Sequence, residues 1–310
     1  MKKLLIALGL LGIAGACERP YPIEVPVNTD QLVVEAYIEN NRPPLVILTR
    51  AVNYYDTLSP QKLSNLFVHD AVVTITEEDG TRHTLERITK DNFTPDLIPM
   101  LGAYINGDWL PFMLMSDSLA FYTIRGAALL GKSRHTYTLE IVHHGDTFRS
   151  RTTISDPPVI DSFSYRTDTV AETGRVLVSM YAHLIDPPGE DYYRIFTQTN
   201  QEPFYPHPGS SVFDDLSFDG RPLWTAFSRG FSRYDSFAFE NFFFEPGDTV
   251  TLKICHIDRR VYTFYRNLEF HLRNRDNLNA TPIYIPSNIE NGRGVFAGYA
   301  AAYYTYIIPK

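Results

Sequence analysis

"DAVVTITEEDGTRHTL", residues 70–85, sets the fold class. Ala71, Val73 and Ile75 recur at every second position, so one face of an extended segment is apolar. Asp79-Gly80 then supplies a tight turn, the strongest short hairpin signal, before "TRHTL" resumes. The plan recurs in "TYTLEIVHHGDTFRSRTTI" (136–154), where Tyr137, Leu139 and Ile141 alternate, Gly145-Asp146 turns and Phe148 resumes. Upstream, "LVVEAYI" (32–38) and "PPLVILTRAV" (43–52) are rich in β-branched and aromatic residues and flank a turn.

These strands predict a β-sandwich over residues 31–156, similar in pattern to immunoglobulin or prealbumin-like modules. "SDPPVIDSF" (155–163) breaks the alternation, and Pro157-Pro158 marks an expected boundary before a second domain over 157–310. There "RVLVSMYAHLIDPPGEDYYRIFTQT" reads as a hairpin around Pro187-Pro188-Gly189, and "PGDTVTLKICHI" as a strand with Val250, Leu252 and Ile254 on its apolar face. A helix is expected near 258–276, capped by Asp258, with Val261, Phe264, Tyr265, Leu268 and Leu272 at helical spacing. The expected fold is mainly β: two β-sandwich-like domains, the second with one packed helix.

The amino terminus reads differently. Lys2 and Lys3 precede an apolar run of 13 residues, Leu4 to Ala16, which ends on Ala14-Gly15-Ala16 directly before Cys17. That is the plan of a signal peptide over 1–16, and the run is too short for a span of about 20 residues. Cys17 has three readings: a lipid attachment site, the first residue after an ordinary cleavage site, or half of a bridge to Cys255. Small residues before a cysteine resemble the lipobox of bacterial lipoproteins, and a cysteine right after the cleavage point favours lipidation. The expectation is a membrane anchor on Cys17, with Cys255 a free structural thiol. "ERPYPIEVPVNTD" (18–30) completes a proline-rich tether, whose 13 residues reach roughly 40 Å or less. Loss of Lys2 and Lys3 leaves 26 basic against 36 acidic residues, a balance of −10. Such a surface argues against nucleic acid as a partner.

Motifs for chemistry are sparse. The chain has no phosphate-binding glycine loop, H-E-x-x-H, C-x-x-C or G-x-S-x-G, so no cofactor and no catalytic residue is expected. His143-His144 looks like a metal pair, but successive residues of a strand face opposite sides. His256 beside Cys255 has the same problem. Asp214, Asp215 and Asp219 in "FDDLSFDGRP" invite a calcium reading, but the spacing of the known loop is lacking and a solvated turn is expected. Thr281 completes a glycosylation-type triplet with Asn279, to which no role is given. The 20 Phe and 20 Tyr, with runs such as "DSFAFENFFFEP", fit strand-rich cores. Their best candidate for a partner patch lies within Phe237–Phe244, with Phe242 and Phe244 on one face if the stretch is a strand.

Several segments in order resemble one family: the lipobox, "LVVEAYIEN", "VHDAVVTITEEDG", "YTLEIVHHGDTFRSRTTISDPPVIDSF", "DPPGEDYYRI", "DDLSFDGRP" and "IPSNIENGRGVFAGYAAAY". It is the family called domain of unknown function 4249, found in lipoproteins of Bacteroidota. The resemblance implies an outer-membrane lipoprotein, encoded near TonB-dependent receptors, that serves as a non-enzymatic accessory or binding partner of a β-barrel transporter. It carries over no catalytic residues. Glu18 followed by Arg19 departs from the acidic cluster typical of surface-exported members, so cell surface and periplasmic face both stay open. A structural or adhesive immunoglobulin-like module is the second reading, and an enzyme acting on glycans or peptides the third.

Overall fold

The structure, a computed structural model, describes residues 31–51, 66–232, 235, 238–274, 277 and 283–310. The signal, the tether, Cys17, Phe237, Asn279 and Thr281 lie outside them.

The chain is mainly β, in three sheets. The hairpin read from residues 70–85 forms as β3 (Val72–Glu77) and β4 (Arg82–Thr84). Gly80 adopts φ 90°, and Asp79 Oδ1 accepts the Thr81 N–H at 2.8 Å. With β7 (His135–His143) and β8 (Asp146–Ile154) it makes a four-stranded sheet ordered β4-β3-β7-β8. A three-stranded sheet joins β14 (Leu223–Phe227), β10 (Val176–Ile185) and β9 (Val159–Thr169), in that order.

The third sheet has nine strands. Its path runs from β12 (Tyr205–Pro206) and β11 (Tyr192–Thr199) through β15 (Thr249–Ile257) to β16 (Arg293–Ile307). It continues through β1 (Leu32–Glu39), β2 (Leu45–Arg50), β6 (Ala120–Thr123) and β5 (Glu86–Thr89). β13 (Val212–Asp214) also pairs with β11.

The expected division at 156/157 is not a division of this sheet. Residues 293–299 of β16 pair in parallel with β1, and residues 300–307 pair antiparallel with β15. The first and last strands are therefore neighbours, and both halves of the sequence build one central layer. Nor is Pro187-Pro188-Gly189 the turn of a hairpin. β10 and β11 belong to different sheets, so the segment arches from the three-stranded layer to the nine-stranded one.

The period-2 alternation explains the layering. On one face of the large sheet, Val34, Ala36, Ile38, Phe296 and Ala300 pack with Val73, Ile75, Tyr137, Leu139 and Ile141 of the four-stranded sheet. Farther along the same face, Tyr193, Ile195, Leu252 and Ile254 pack with Val178, Met180 and Leu184 of the three-stranded sheet. These are the sandwich-like contacts. Gly298 permits close passage of β8: a Cβ there would lie 2.8 Å from the Thr153 carbonyl oxygen.

The opposite face is covered by helices. α1 (Ile98–Tyr104) and α2 (Trp109–Met115), unread in the sequence, contribute Met100, Leu101, Tyr104 and Met113. α3 (Arg259–Arg273) is the expected helix, and Asp258 caps it by accepting the Val261 N–H at 2.9 Å. Val261, Tyr262 and Tyr265 are buried, whereas Leu272 near its end is exposed. No helix among the described residues is long and apolar enough to cross a membrane.

Candidate functional site

The helix-covered face of the large sheet is polar at its centre. β1 directs Glu35, Tyr37 and Glu39 to it, β15 contributes Lys253 and Cys255, β11 contributes Arg194, and β16 contributes Tyr299 and Tyr303. Lys253 and Glu39 are fully buried, with Nζ 2.6 Å from Oε2. Lys253 also donates to the Ala103 carbonyl at 2.6 Å. Glu39 Oε1 accepts from Arg42 Nε at 2.7 Å and from the Tyr303 hydroxyl at 2.6 Å. The rings of Phe196 and Tyr299, each 5.4 Å from the ammonium, add cation–π attraction.

Beside this pair, Arg194 donates to the Tyr299 hydroxyl at 2.6 Å and to Ser211 Oγ at 3.1 Å. Its guanidinium lies 3.3 Å over the Tyr265 ring and 3.9 Å from Glu269 Oε1. Tyr299, Tyr265 and Tyr37 continue as a hydroxyl chain with links of 3.4 Å, and the Tyr37 hydroxyl reaches Glu35 Oε2 at 3.4 Å. Glu35 is exposed, and the loss of hydration against the surrounding protein raises its carboxyl above the usual range. Burial pushes the Cys255 thiol up to about 12, leaving it an inert, free, buried cysteine. Lys253 and Arg194 both hold structural partners, which fits scaffolding better than proton transfer or nucleophilic attack.

The partner patch expected at Phe242 and Phe244 does not form. Residues 239–242 are a 3-10 helix rather than a strand, which breaks the assumed alternation. Phe244 is fully buried, exchanges backbone hydrogen bonds with Val178 at 2.8 and 3.0 Å, and packs edge-on against Phe227. Phe242 is half-buried against Phe231. Phe244 is a core residue.

The histidine pair also departs from expectation. β7 ends at His143, and His144-Gly145, at φ 51° and 91°, form a two-residue loop before Asp146. His144 thus leaves the strand, its ring stacks on His143 at 4.0 Å, and both rings bind Asp70, at 3.0 and 2.7 Å. Asp70 is held below the usual carboxylate range, chiefly by its hydrogen bond to His144.

The acidic turn is not solvated throughout. Asp214 accepts from the Tyr262 hydroxyl at 2.7 Å and Asp219 from the Gly189 N–H at 2.8 Å, but Asp215 is buried. It meets Asp186 and Asp191, also buried, from the arch between β10 and β11. His256, on the face of β15 opposite Cys255, pairs with Asp191 at 2.6 Å and stacks on Tyr193. Sequence reading missed Asp186, Asp191, Lys253, Glu39 and Arg194, whose strands and loops meet only in the fold.

A comparison with curated proteins finds no match to the chain. The model of one family, described as Domain of unknown function (DUF4249), matches residues 18–305.

Proposed function

The chain belongs to the DUF4249 family, and on that premise we propose a lipid-anchored outer-membrane protein that binds a β-barrel transporter and performs no catalysis. Cys17 is the attachment site in this reading, and residues 18–30 are the tether that leads to β1. Two acyl chains or more would hold the protein on a bilayer stably.

The observation that carries the binding reading is the outer face of the three-stranded sheet. Its register sets Trp224 beside His183, with rings 4.9 Å apart, and Tyr181 beside Ala226. Arg166 lies over the Tyr181 ring at 5.6 Å. Trp224 is exposed, while Tyr181 and His183 are half-buried. Trp, Tyr and Arg are the side chains that anchor protein interfaces, and here a buried core backs them. This face replaces the patch that the burial of Phe244 removes.

The test is affinity purification of the tagged full chain from its native membrane, beside Cys17→Ser and Trp224→Ala. Wild type should bring down a β-barrel protein. Cys17→Ser should move to the soluble fraction, and Trp224→Ala should stay in the membrane with the barrel reduced at least tenfold. Wild type recovered without a barrel would overturn the partner reading. Cys17→Ser retained on membranes that lack the partner would overturn the anchor.

A further inference from the structure

Three aspartates meet where the arch from β10 to β11 touches the loop after β13. Asp186, Asp191 and Asp215 are 5%, 8% and 1% exposed, and one carboxylate oxygen from each lies within 4.8 Å of the others. A cation ligated at about 2.4 Å holds any two ligands no farther apart than about 4.8 Å, the diameter of its coordination sphere. The spacing therefore fits one ion.

A second, independent observation comes from hydrogen bonding. Asp191 Oδ2 and Asp215 Oδ2 are buried and have no hydrogen-bond partner. Carboxylate oxygens buried without a donor are costly, and such orphans call for a missing ligand. The remaining bonds orient the group. Asp186 accepts from the Tyr193 hydroxyl at 2.6 Å and from the Gly220 N–H at 2.8 Å. Asp191 Oδ1 is held by His256 at 2.6 Å, and the Asp191 carbonyl accepts the Asp215 N–H at 3.2 Å. The His256 imidazole engages only one of the three carboxylates, and its other nitrogen faces the Asp156 carbonyl at 3.4 Å.

We propose that Asp186, Asp191 and Asp215 form a calcium site that ties the three-stranded sheet to the central one. The donors are hard oxygens, which disfavours zinc. The site is nearly dry, which disfavours magnesium because that ion keeps several of its waters. Ca²⁺ accepts several carboxylate and carbonyl oxygens in irregular geometry. Its position is structural: residues 186–191 lead from β10 into β11, and Asp215 lies between β13 and β14. The ion would join the two loops that carry the chain between these layers.

The test uses the full chain in detergent, stripped with EGTA and melted with and without about 5 mM CaCl₂ or MgCl₂, above the weakest Kd of such sites. At a hundredfold excess over Kd, calcium should raise Tm by roughly 5–10 °C and magnesium much less. Tb³⁺ in place of calcium should luminesce when tyrosine is excited, through Tyr193, and EGTA should quench the signal. Asp215→Asn and Asp191→Asn should fold in EGTA and lose the calcium shift, while Asp70→Asn at the histidine pair should keep it. No shift and no luminescence in wild type would overturn the site, as would equal shifts with magnesium or a calcium shift that survives both aspartate substitutions. If one variant fails to fold, the other variant and the Tb³⁺ signal of wild type decide.

Discussion

Lys253 and Glu39, 214 residues apart in sequence, form a fully buried ion pair at 2.6 Å between the central sheet and the helices that cover it. Desolvating two charges costs several kcal/mol each, so such a pair is poor evidence of net stabilisation, but breaking it is expensive. Glu39 would remain buried with the donors Arg42 and Tyr303 alone.

Lys253→Met should therefore lower unfolding free energy by about 3–5 kcal/mol, and Lys253→Met with Glu39→Gln should recover much of that loss. Urea unfolding of the two single variants and the double variant measures the coupling. A single-variant cost under about 1 kcal/mol would show that the pair does not hold the layer.

Phe244 and Phe242 should separate cleanly. Phe244→Ala empties a fully buried position and should cost about 3–5 kcal/mol, while Phe242→Ala, at a half-buried position, should cost well under half of that. Denaturant titration reads both. Equal costs would return the two rings to one shared face.

Glu35 gives a pH dependence. Its carboxyl is raised by loss of hydration against the protein, so the native state binds that proton more tightly than the unfolded chain. Stability from this group falls as pH rises from the unfolded value, about 4.3, through the native one. Its open surface lets solvent mute the effect. Glu35→Gln should match wild type in Tm near pH 4 and exceed it near pH 8. A gap that is constant, or that narrows as pH rises, contradicts the raised carboxyl of Glu35.

Asp258 caps α3 and also accepts from Thr152 Oγ1 of β8 at 3.3 Å. Asp258→Ala should cost about 0.5–2 kcal/mol and Asp258→Asn much less, as thermal melting would register. Equal losses in the two variants would mean that charge, not the cap hydrogen bond, matters.

Local signals read well in this chain. Asp79-Gly80 turns, Asp258 caps, and the alternations in β3, β7 and β15 point to the correct apolar faces. The turn falls at 144–145, one residue before the expected Gly145-Asp146, and that shift brings His143 and His144 together on Asp70. Lys253 shows why the polar centre was not legible. Between Leu252 and Ile254 it alternates as a solvent-facing residue should, and alternation separates two faces without telling which of them another layer covers. Over Lys253 that layer is α1, a helix of seven residues, too short for a helical period to stand out in the sequence. Asp215 stands out in "FDDLSFDGRP", but its grouping with Asp186 and Asp191 is hidden for a related reason, since residues 186–191 and 215 lie in different loops that meet only after the sheets stack.

The parallel pairing of β1 with β16 has a consequence for how the molecule is made. The strand at the head of the described fold cannot complete its ladder until residues 293–299 arrive, so the central sheet closes last. Contacts of such long sequence separation slow folding and leave strand edges open meanwhile. A chain entering its folding compartment amino terminus first would hold β1 with one unpaired edge until nearly all of the chain had arrived. Removing the final strand would then leave an aggregation-prone remnant rather than a smaller working protein.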